Sequence, residues 1–246
     1  MVDRFYGDLS LAEMYDALHP WGPTDAFCLE RVGSAESVAD IGCGTGRLLS
    51  RARRVGHGGR LTGLDPAAAM LVQARRRTAG VEWVLGDLDC VRWEAEFDLA
   101  VMSGQVLQLL PGDTEARHAL AALRRALVPG GRLLVDTLDP AGRPWEGWGE
   151  EGAREVVRPD GSVVRAWREA VAPVRGERVR YVDRFDCDRW ERAQESRGAL
   201  RFREAAALDR LLEGAGFTVE ERHGPRGRAA ARGAGGAGTV TVARRG

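Results

Sequence analysis

The chain of 246 residues contains no lysine and no asparagine, and all 36 of its basic residues are arginine. The lack of lysine excludes Schiff-base chemistry, which requires a lysine amine. An equal number of acidic residues gives a formal net charge of zero, so the bulk charge indicates neither a nucleic-acid partner nor an anionic membrane. No stretch reaches the roughly 18 apolar residues of a membrane span, and no basic start precedes an apolar run. We therefore expect a cytoplasmic protein.

Cysteine and histidine are also scarce, with four residues of each. The cysteines are far apart and form no CxxC pair, which argues against a zinc knuckle and against a disulfide framework. The histidines lack metal-ligand spacing, so we expect no metal site. Cys43 stands in a glycine turn, where a small filler is a better interpretation than a nucleophile.

The chain has the length of one domain, and its central part alternates between short apolar runs and helical patterns. The helical patterns lie between apolar runs that predict strands at residues 37–41, 60–64, 81–85, 97–102 and 132–136. Such alternation indicates a parallel sheet with helices on both faces. The predicted fold class is therefore α/β.

The pattern changes after residue 139. Period-two runs separated by turns over residues 154–187 predict a β-rich antiparallel insertion within 140–198. Three tryptophans, Trp145, Trp148 and Trp167, favour a cap over a small-molecule pocket. A sheet extension that forms a dimer interface is the alternative.

The α/β pattern returns near the C-terminus. A helix with apolar residues from Phe202 onward is expected to end at the glycines of 214–216. Strands at 217–219 and 239–242 then predict a closing hairpin. Between them, residues 224–238 are rich in glycine, alanine and arginine and predict a mobile loop.

Residues 1–36 predict a helical segment ahead of the first strand. Apolar residues within 9–19 have helical spacing, and a second helix is expected to begin at a Thr24 cap. Either these helices simply pack on the sheet, or they form a lid in which Tyr15 and Trp21 close over a ligand.

A glycine turn after the first strand is the best candidate for a binding site. Gly42, Gly44 and Gly46 lack a Cβ, so the backbone there can adopt positive φ and lie against a ligand. A dinucleotide fingerprint, G-x-G-x-x-G, requires glycine where Arg47 stands. Asp40, beside the turn, would repel a pyrophosphate but suits a ligand with a cationic amine. The turn therefore disfavours NAD.

Polar residues also follow the next three predicted strands. Asp65 ends the second strand, where a carboxylate can accept from both hydroxyls of a ribose, and it is predicted to cap a helix that starts at Pro66. Gly86 and Asp87 end the third strand, where an acid can accept from an adenine amine. Ser103–Gln105 ends the fourth. Since ligands of open parallel sheets bind at the carboxyl ends of the strands, these residues form one candidate site.

These motifs resemble the class I S-adenosylmethionine-dependent methyltransferases, in the group of small-molecule enzymes with a plain methyltransferase domain. The resemblance covers residues 37–138 closely and rests on DIGCGTG, TGLDPAAAML, WVLGDLD, FDLAVMSG and LVPGGRLLVDT. It implies a Rossmann-like, seven-stranded, mostly parallel sheet of order 3-2-1-4-5-7-6 with strand seven antiparallel. Residues 37–246 would form this domain, with the antiparallel insertion after the fifth strand.

The resemblance implies S-adenosylmethionine as the cofactor. The glycine turn with Asp40 would hold its methionine part, Asp65 its ribose, and Met70, Asp87 and Leu88 its adenine. Ser103 and Gln105 would lie near the sulfonium and the acceptor. The full set of expected cofactor-binding residues is Tyr15, Asp40, Gly42, Cys43, Gly44, Thr45, Gly46, Asp65, Pro66, Met70, Gly86, Asp87, Leu88, Ser103 and Gln105.

The function expected from these residues is methyl transfer to a small-molecule acceptor, by a monomer or a homodimer. The alternatives are a non-catalytic S-adenosylmethionine-binding scaffold and an NAD-dependent oxidoreductase. The Ser-Gly-Gln end of the fourth strand differs from the Asn/Asp-Pro-Pro-aromatic turn of nucleic-acid amine methylation, so we expect no nucleic-acid partner. His19, Tyr15 and Asp136 are candidates for a general base, but no pattern selects one, and the catalytic residue is left unassigned.

Overall fold

The computed structural model describes residues 2–174, 176–224 and 238–246. Its strands are β1 (Ser37–Ile41), β2 (Arg60–Asp65), β3 (Glu82–Leu85), β4 (Phe97–Met102), β5 (Leu127–Thr137), β6 (Arg154–Val157), β7 (Val163–Ala170), β8 (Arg178–Cys187), β9 (Gln194–Arg201), β10 (Phe217–His223) and β11 (Thr239–Arg245). Its helices are α1 (Arg4–Gly7), α2 (Leu9–Ala12), α3 (Tyr15–Leu18), α4 (Pro23–Gly33), α5 (Arg47–Arg54), α6 (Ala68–Arg77), α7 (Val106–Leu109), α8 (Asp113–Ala126) and α9 (Ala205–Gly214). No helix within the described ranges has the length and hydropathy needed to cross a bilayer.

Seven strands form the main sheet in the order β3-β2-β1-β4-β5-β11-β10. The first five pair in parallel, whereas β11 runs antiparallel to both β5 and β10. This is the predicted order 3-2-1-4-5-7-6, in which the last strand along the chain, here β11, is antiparallel to its neighbours. It confirms the expected fold class. It brings the carboxyl ends of β1, β2, β3 and β4 to one edge, where the predicted site residues follow.

Helices cover both faces of this sheet because consecutive strand residues are apolar. Val38, Leu99 and Leu134 pack with α4 and α5 on one face. Their neighbours Ala39 and Ala100 pack with α8 and α9 on the other. Two-sided burial explains why the strands read as continuous apolar runs rather than alternating ones.

A second, antiparallel sheet of order β6-β7-β8-β9 follows β5. The predicted meander over 154–187 matches its first three strands, but the fourth, β9, was not predicted. Only Ser196 and Leu200 of β9 are buried, and the polar Ser196 accepts a hydrogen bond from the Phe5 amide at 2.8 Å. The strand therefore lacks an apolar alternation, and β8 rather than its own sequence determines it. The next helix begins at Ala205, so Phe202 lies ahead of it and packs on Trp145.

The N-terminal segment is broken into three four-residue helices rather than one helix over 9–19. Phe5 and Leu11 pack against the second sheet, whereas Ala12 packs against α6. The segment thus lies between the two, which a single straight helix would not achieve. The predicted Thr24 cap is wrong: α4 begins at Pro23 after Gly22, whose amide donates to the Asp25 carboxylate at 2.8 Å.

The last two strands form the predicted closing hairpin, with β10 and β11 antiparallel. The predicted mobile loop at 224–238 lies, apart from Gly224 and Gly238, outside the described residues.

Candidate active site

The glycine turn connects β1 to α5 and is attached to the end of β2. The amides of Gly42 and Cys43 donate to the Leu64 carbonyl at 2.7 and 3.1 Å. Gly42, Gly44 and Gly46 have φ of +68°, +54° and +71°, a region that residues with a Cβ rarely adopt. The sequence pattern is therefore required by the backbone.

Two glycines of the turn differ in their surroundings. A Cβ at Gly46 would lie 2.4 Å from Trp83 Cη2 and 2.9 Å from the Ala74 Cβ, so this glycine is needed for packing. A Cβ at Gly44 would meet no atom within 4 Å. The backbone at Gly44 therefore presents an open face on which a ligand could lie.

We predict that Gly46→Ala lowers the free energy of unfolding by about 2–4 kcal/mol, because it adds overpacking to left-handed backbone strain. Gly44→Ala is the matched control, and it should cost only about 1–2 kcal/mol of backbone strain. Urea denaturation of both variants measures the difference. Equal losses for the two variants would show that the contact with Trp83 is relieved at no cost.

Asp65, the last residue of β2, stabilises the glycine turn through its carboxylate. Its Oδ2 accepts from the Gly44 amide and its Oδ1 from the Ala67 amide, each at 2.8 Å. Burial raises the pKa of this carboxyl, and the two amide donors oppose the rise. The predicted cap is wrong, because Asp65 and Pro66 form a turn and α6 begins at Ala68. Asp65 nevertheless lies beside the glycine turn, as predicted.

Asp40 is buried in β1 next to the turn and is only 2% exposed. Within the described part of the chain its Oδ1 has no hydrogen-bond partner. Burial raises the pKa of Asp40 to about 8, and the negative charges of Asp65 and Asp25 contribute to the rise. A buried, unpaired carboxylate is costly, and a cation placed against it would remove that cost.

The end of β3 lies on the other side of Asp65. The Gly86 amide donates to the Asp65 carbonyl at 3.0 Å, which brings this turn beside β2. Asp87 is exposed and accepts from the Asp89 amide at 3.1 Å. Leu88 is partly buried against the main core. The structure thus places the third-strand residues next to Asp65, in the order that the sequence suggested.

The end of β4 is hydrogen-bonded to β5. Gln105 Nε2 and the Gly104 amide donate to Asp136 Oδ2 at 3.0 and 3.2 Å, and Ser103 precedes them at the end of the strand. Asp136 is buried, which raises its pKa to about 6 against the opposing effect of these donors. The sequence suggested Asp136 only as a candidate base. Asp136 lies near the carboxyl end of β5, so the expectation that ligands bind at the carboxyl ends of parallel strands could have placed it in the site.

The N-terminal helices are attached to the same edge. Thr45 Oγ1 donates to Asp16 Oδ1 at 2.6 Å, and the Arg47 guanidinium donates to the His19 carbonyl. Tyr15, a predicted lid residue, packs on the cluster that contains Met70, the residue expected at the adenine face.

Trp21, the other predicted lid residue, lies against the first turns of α5, with its ring centroid 5.7 Å from the Arg47 guanidinium. It packs under the guanidinium of Arg51, 4.5 Å from the ring centroid, and against the core beneath α4 and α5.

A cavity of about 120 Å³ opens between the N-terminal helices, the segment after β5 and the second sheet. Of the expected cofactor-binding residues within the described ranges, Gln105 alone lines it, and the candidate base His19 lines it as well. Its other side chains are mainly aromatic or charged, and they include Phe5, His19, Trp148, Arg154, Trp167, Arg168, Asp183 and Phe185. In the described ranges no group of three or more His, Cys, Asp or Glu side chains could hold a metal ion.

Residues 38–131 match a family described as a methyltransferase domain. Over this segment the chain is similar to the methyltransferase-domain family. The matched segment contains the glycine turn, Asp65, Asp87 and Gln105. The N-terminal helices and the second sheet lie outside it, so most walls of the cavity are not part of the matched segment.

Solved structures show the same fold for the whole chain. An S-adenosylmethionine-bound amino pentose methyltransferase from Micromonospora echinaspora is 24% identical, with a TM-score of 0.69 over 97% of each chain. The CcbJ methyltransferase from Streptomyces caelestis is 23% identical, with a TM-score of 0.73 over 98% of this chain and 97% of that one. The likeness in fold therefore extends over nearly the whole chain.

Curated relatives match about half of the chain. A 2-phytyl-1,4-naphtoquinone methyltransferase from Thermosynechococcus vestitus is 36% identical over 140 residues, 51% of this chain and 60% of that protein. A malonyl-[acyl-carrier protein] O-methyltransferase from Salmonella typhimurium is 34% identical over 141 residues, 54% of each. The chain spans about half the length of these relatives.

Proposed function

We propose that the protein transfers a methyl group from S-adenosylmethionine to a small-molecule acceptor. The observation that carries this proposal is the buried carboxyl of Asp40, whose Oδ1 has no hydrogen-bond partner among the described residues, beside the open face of Gly44. A dinucleotide would bring its negative charge here, whereas S-adenosylmethionine brings an ammonium and a sulfonium. The fit to a cation therefore supports the sulfur nucleoside over NAD.

The residues around Asp40 suit the other parts of that cofactor. Each oxygen of Asp65 accepts one backbone amide and retains a lone pair with which to accept from a ribose hydroxyl. Asp87 and Leu88, beside Asp65, would contact the adenine edge, and Met70 its face. Tyr15 would close that side. Along the edge of the sheet, the methionine, ribose and adenine parts of the cofactor would thus lie at the ends of β1, β2 and β3 in turn.

When bound, S-adenosylmethionine supplies a methyl group on an already activated leaving group. The protein therefore mainly has to align the acceptor with the methyl carbon and exclude water, and such orientation can supply on the order of 7–11 kcal/mol. Gln105 would help to align the acceptor. Its side-chain Nε2 donates to Asp136, which fixes its position, and the residue lines the cavity. It marks the boundary between the cofactor side and the cavity.

The cavity is the proposed acceptor site. Trp148 and Trp167 of the insertion line it, whereas Trp145 packs on Phe202 with ring centroids 4.7 Å apart. Residues 140–198 would thus cap the acceptor, and residues 1–36 would form a lid over the cofactor. The names of two relatives, a naphtoquinone and an amino pentose methyltransferase, are consistent with a small acceptor.

Calorimetry with S-adenosylmethionine, S-adenosylhomocysteine and NAD tests the proposal. We expect both sulfur nucleosides to bind at one site per chain and NAD not to bind. Binding of NAD alone would favour an oxidoreductase, and binding of none would reject the cofactor assignment. S-adenosylhomocysteine produced with an added acceptor separates an enzyme from a non-catalytic binding protein.

A further inference from the structure

The cavity next to Gln105 has a charge pattern that the methyl-transfer chemistry alone does not explain. Arg154, on β6, and Arg168, on β7, both line it, and Asp183, on β8, is the carboxylate among its lining residues. With His19 neutral, two guanidinium groups face one carboxylate. The cavity therefore carries a net positive charge, in a protein whose formal net charge is zero.

Arg168 is held rigidly by its surroundings. Its Nε and Nη2 donate to the two carboxylate oxygens of Asp183 at 2.6 and 3.0 Å. Its guanidinium also lies 3.8 Å from the Tyr181 ring centroid and 5.3 Å from that of Trp148. Asp183 thus fixes the orientation of Arg168 and leaves Nη1 without a hydrogen-bond partner among the described residues.

Arg154 approaches the cavity from the neighbouring strand. Its Nη1 donates to the Leu18 carbonyl at 2.6 Å, which joins β6 to the end of α3. In the described residues its Nη2 and Nε have no hydrogen-bond partner. Free guanidinium donors from two strands therefore line one cavity, an arrangement suited to a carboxylate or a phosphate.

The positive charge of the cavity also affects the protonation of His19. Its Nδ1 lies 2.9 Å from the Tyr15 carbonyl, and since a carbonyl only accepts, Nδ1 carries the proton and Nε2 is an acceptor. The pKa of His19 is lowered to about 4, mainly by burial and also by the charges of Arg168, Arg154 and Arg47, against the opposing hydrogen bond to the Tyr15 carbonyl. The imidazole is therefore neutral at assay pH and does not add to the charge of the cavity.

Aromatic side chains form much of the remaining wall. Phe5 and Phe185 lie with ring centroids 4.9 Å apart, and Trp148 and Trp167 line the same cavity. Such walls suit an apolar or planar body rather than a free inorganic ion. From the net positive charge of the cavity and its aromatic walls together, we propose that the methyl acceptor is an organic acid. Its anionic group binds Arg154 and Arg168. This inference rests on the proposed function.

Benzoate and its neutral analogue benzamide are the probes. We expect calorimetry in the presence of S-adenosylhomocysteine to show benzoate binding at least about tenfold more tightly than benzamide. Benzoate should also raise the pKa of His19, measured by NMR titration, because a bound anion cancels the field of the arginines. Benzamide should leave that pKa unchanged. Equal binding of the two probes would overturn the proposal.

Variants of Arg154 locate the anion. Arg154→Met should remove the preference for benzoate, whereas Arg154→Lys, which keeps the charge, should retain most of it. The matched control is Arg165→Met on β7, because Arg165 pairs with Glu150 and does not line the cavity, although its guanidinium lies 5.5 Å from the centroid of the Trp167 ring. Loss of the preference in Arg165→Met as well, or its survival in Arg154→Met, would contradict the assignment.

The same titrations separate this inference from the proposed function. If the sulfur nucleosides bind but benzoate shows no preference, the organic-acid acceptor is wrong and the cofactor assignment stands. If benzoate binds through Arg154 while neither sulfur nucleoside binds, the anion site stands and its role in methyl transfer is wrong.

Discussion

Replacing Asp65 with alanine is expected to weaken S-adenosylmethionine binding by roughly 1.5–3 kcal/mol, about ten- to a hundredfold. The variant removes a carboxylate that would accept from two ribose hydroxyls. It also frees the Gly44 amide, which Asp65 now fixes at 2.8 Å, and so loosens the open face of the glycine turn. Calorimetry of the variant and the wild type gives the change in affinity.

Two further variants separate ligand binding from local structure. Asp65→Asn keeps an oxygen acceptor for one backbone amide and should bind less tightly than the wild type. Asp160→Ala is the control, since Asp160 also accepts from the amide two residues ahead, Ser162, but lies in the turn between β6 and β7. An unchanged affinity in Asp65→Ala, with a wild-type melting temperature, would refute the ribose assignment.

Binding of S-adenosylmethionine is expected to strengthen about tenfold between pH 6.5 and 8, because Asp40 must be ionised to hold a cation. The pKa of Asp40 is raised to about 8, so in this range most of the change in charge at the site comes from this carboxyl. The carboxyl of Asp136, with a pKa of about 6, is largely ionised by pH 7. Calorimetry at several pH values measures the slope.

Without ligand, the same group should act on stability in the opposite sense. The pKa of Asp40 lies above its unfolded value of 3.8, so the folded protein retains a proton that the unfolded chain releases. Its contribution to stability is therefore complete below about pH 4 and is lost as the pH rises through about 8. Thermal melts should show a falling stability of the ligand-free protein over this range, reduced in Asp40→Asn.

Asp40→Asn is the decisive variant for both measurements. It should bind S-adenosylmethionine weakly at pH 8 and lose the pH dependence that comes from the protein. The ammonium of the ligand titrates equally with both proteins, so the difference between them isolates Asp40. Asp98→Asn is the control, because Asp98 lies at the other end of the sheet and accepts from the Ser37 amide at 2.9 Å. Identical pH profiles for wild type and Asp40→Asn would contradict the proposal that the Asp40 carboxylate binds the cationic group of the ligand.

The main sheet and the edge that carries the site could be predicted from the sequence. Strands of a doubly covered sheet must be apolar throughout, and ligand-binding residues must follow their carboxyl ends. Asp65 and Gly86 therefore stand out as a polar and a glycine residue at the ends of apolar runs, and Asp40 as an acid within one. Their neighbourhood in the structure follows from the strand order.

Features set by tertiary contacts could not be predicted. The strand β9 has a polar buried residue, Ser196, which is explained only by its bond to the Phe5 amide. The helical pattern over 9–19 gave no sign that the segment would break and contact two different surfaces. Arg154 and Arg168 stand on different strands of the second sheet, and only the antiparallel pairing places both in one cavity.

A crystal structure with S-adenosylhomocysteine is the most direct test of the central claim that this edge binds the sulfur nucleoside. We predict that the amino-acid part lies on Gly44 with its ammonium at Asp40, and that the ribose hydroxyls contact Asp65. The sulfur should face Gln105 and the cavity. A nucleoside bound elsewhere, or bound here with its ribose away from Asp65, would contradict the account.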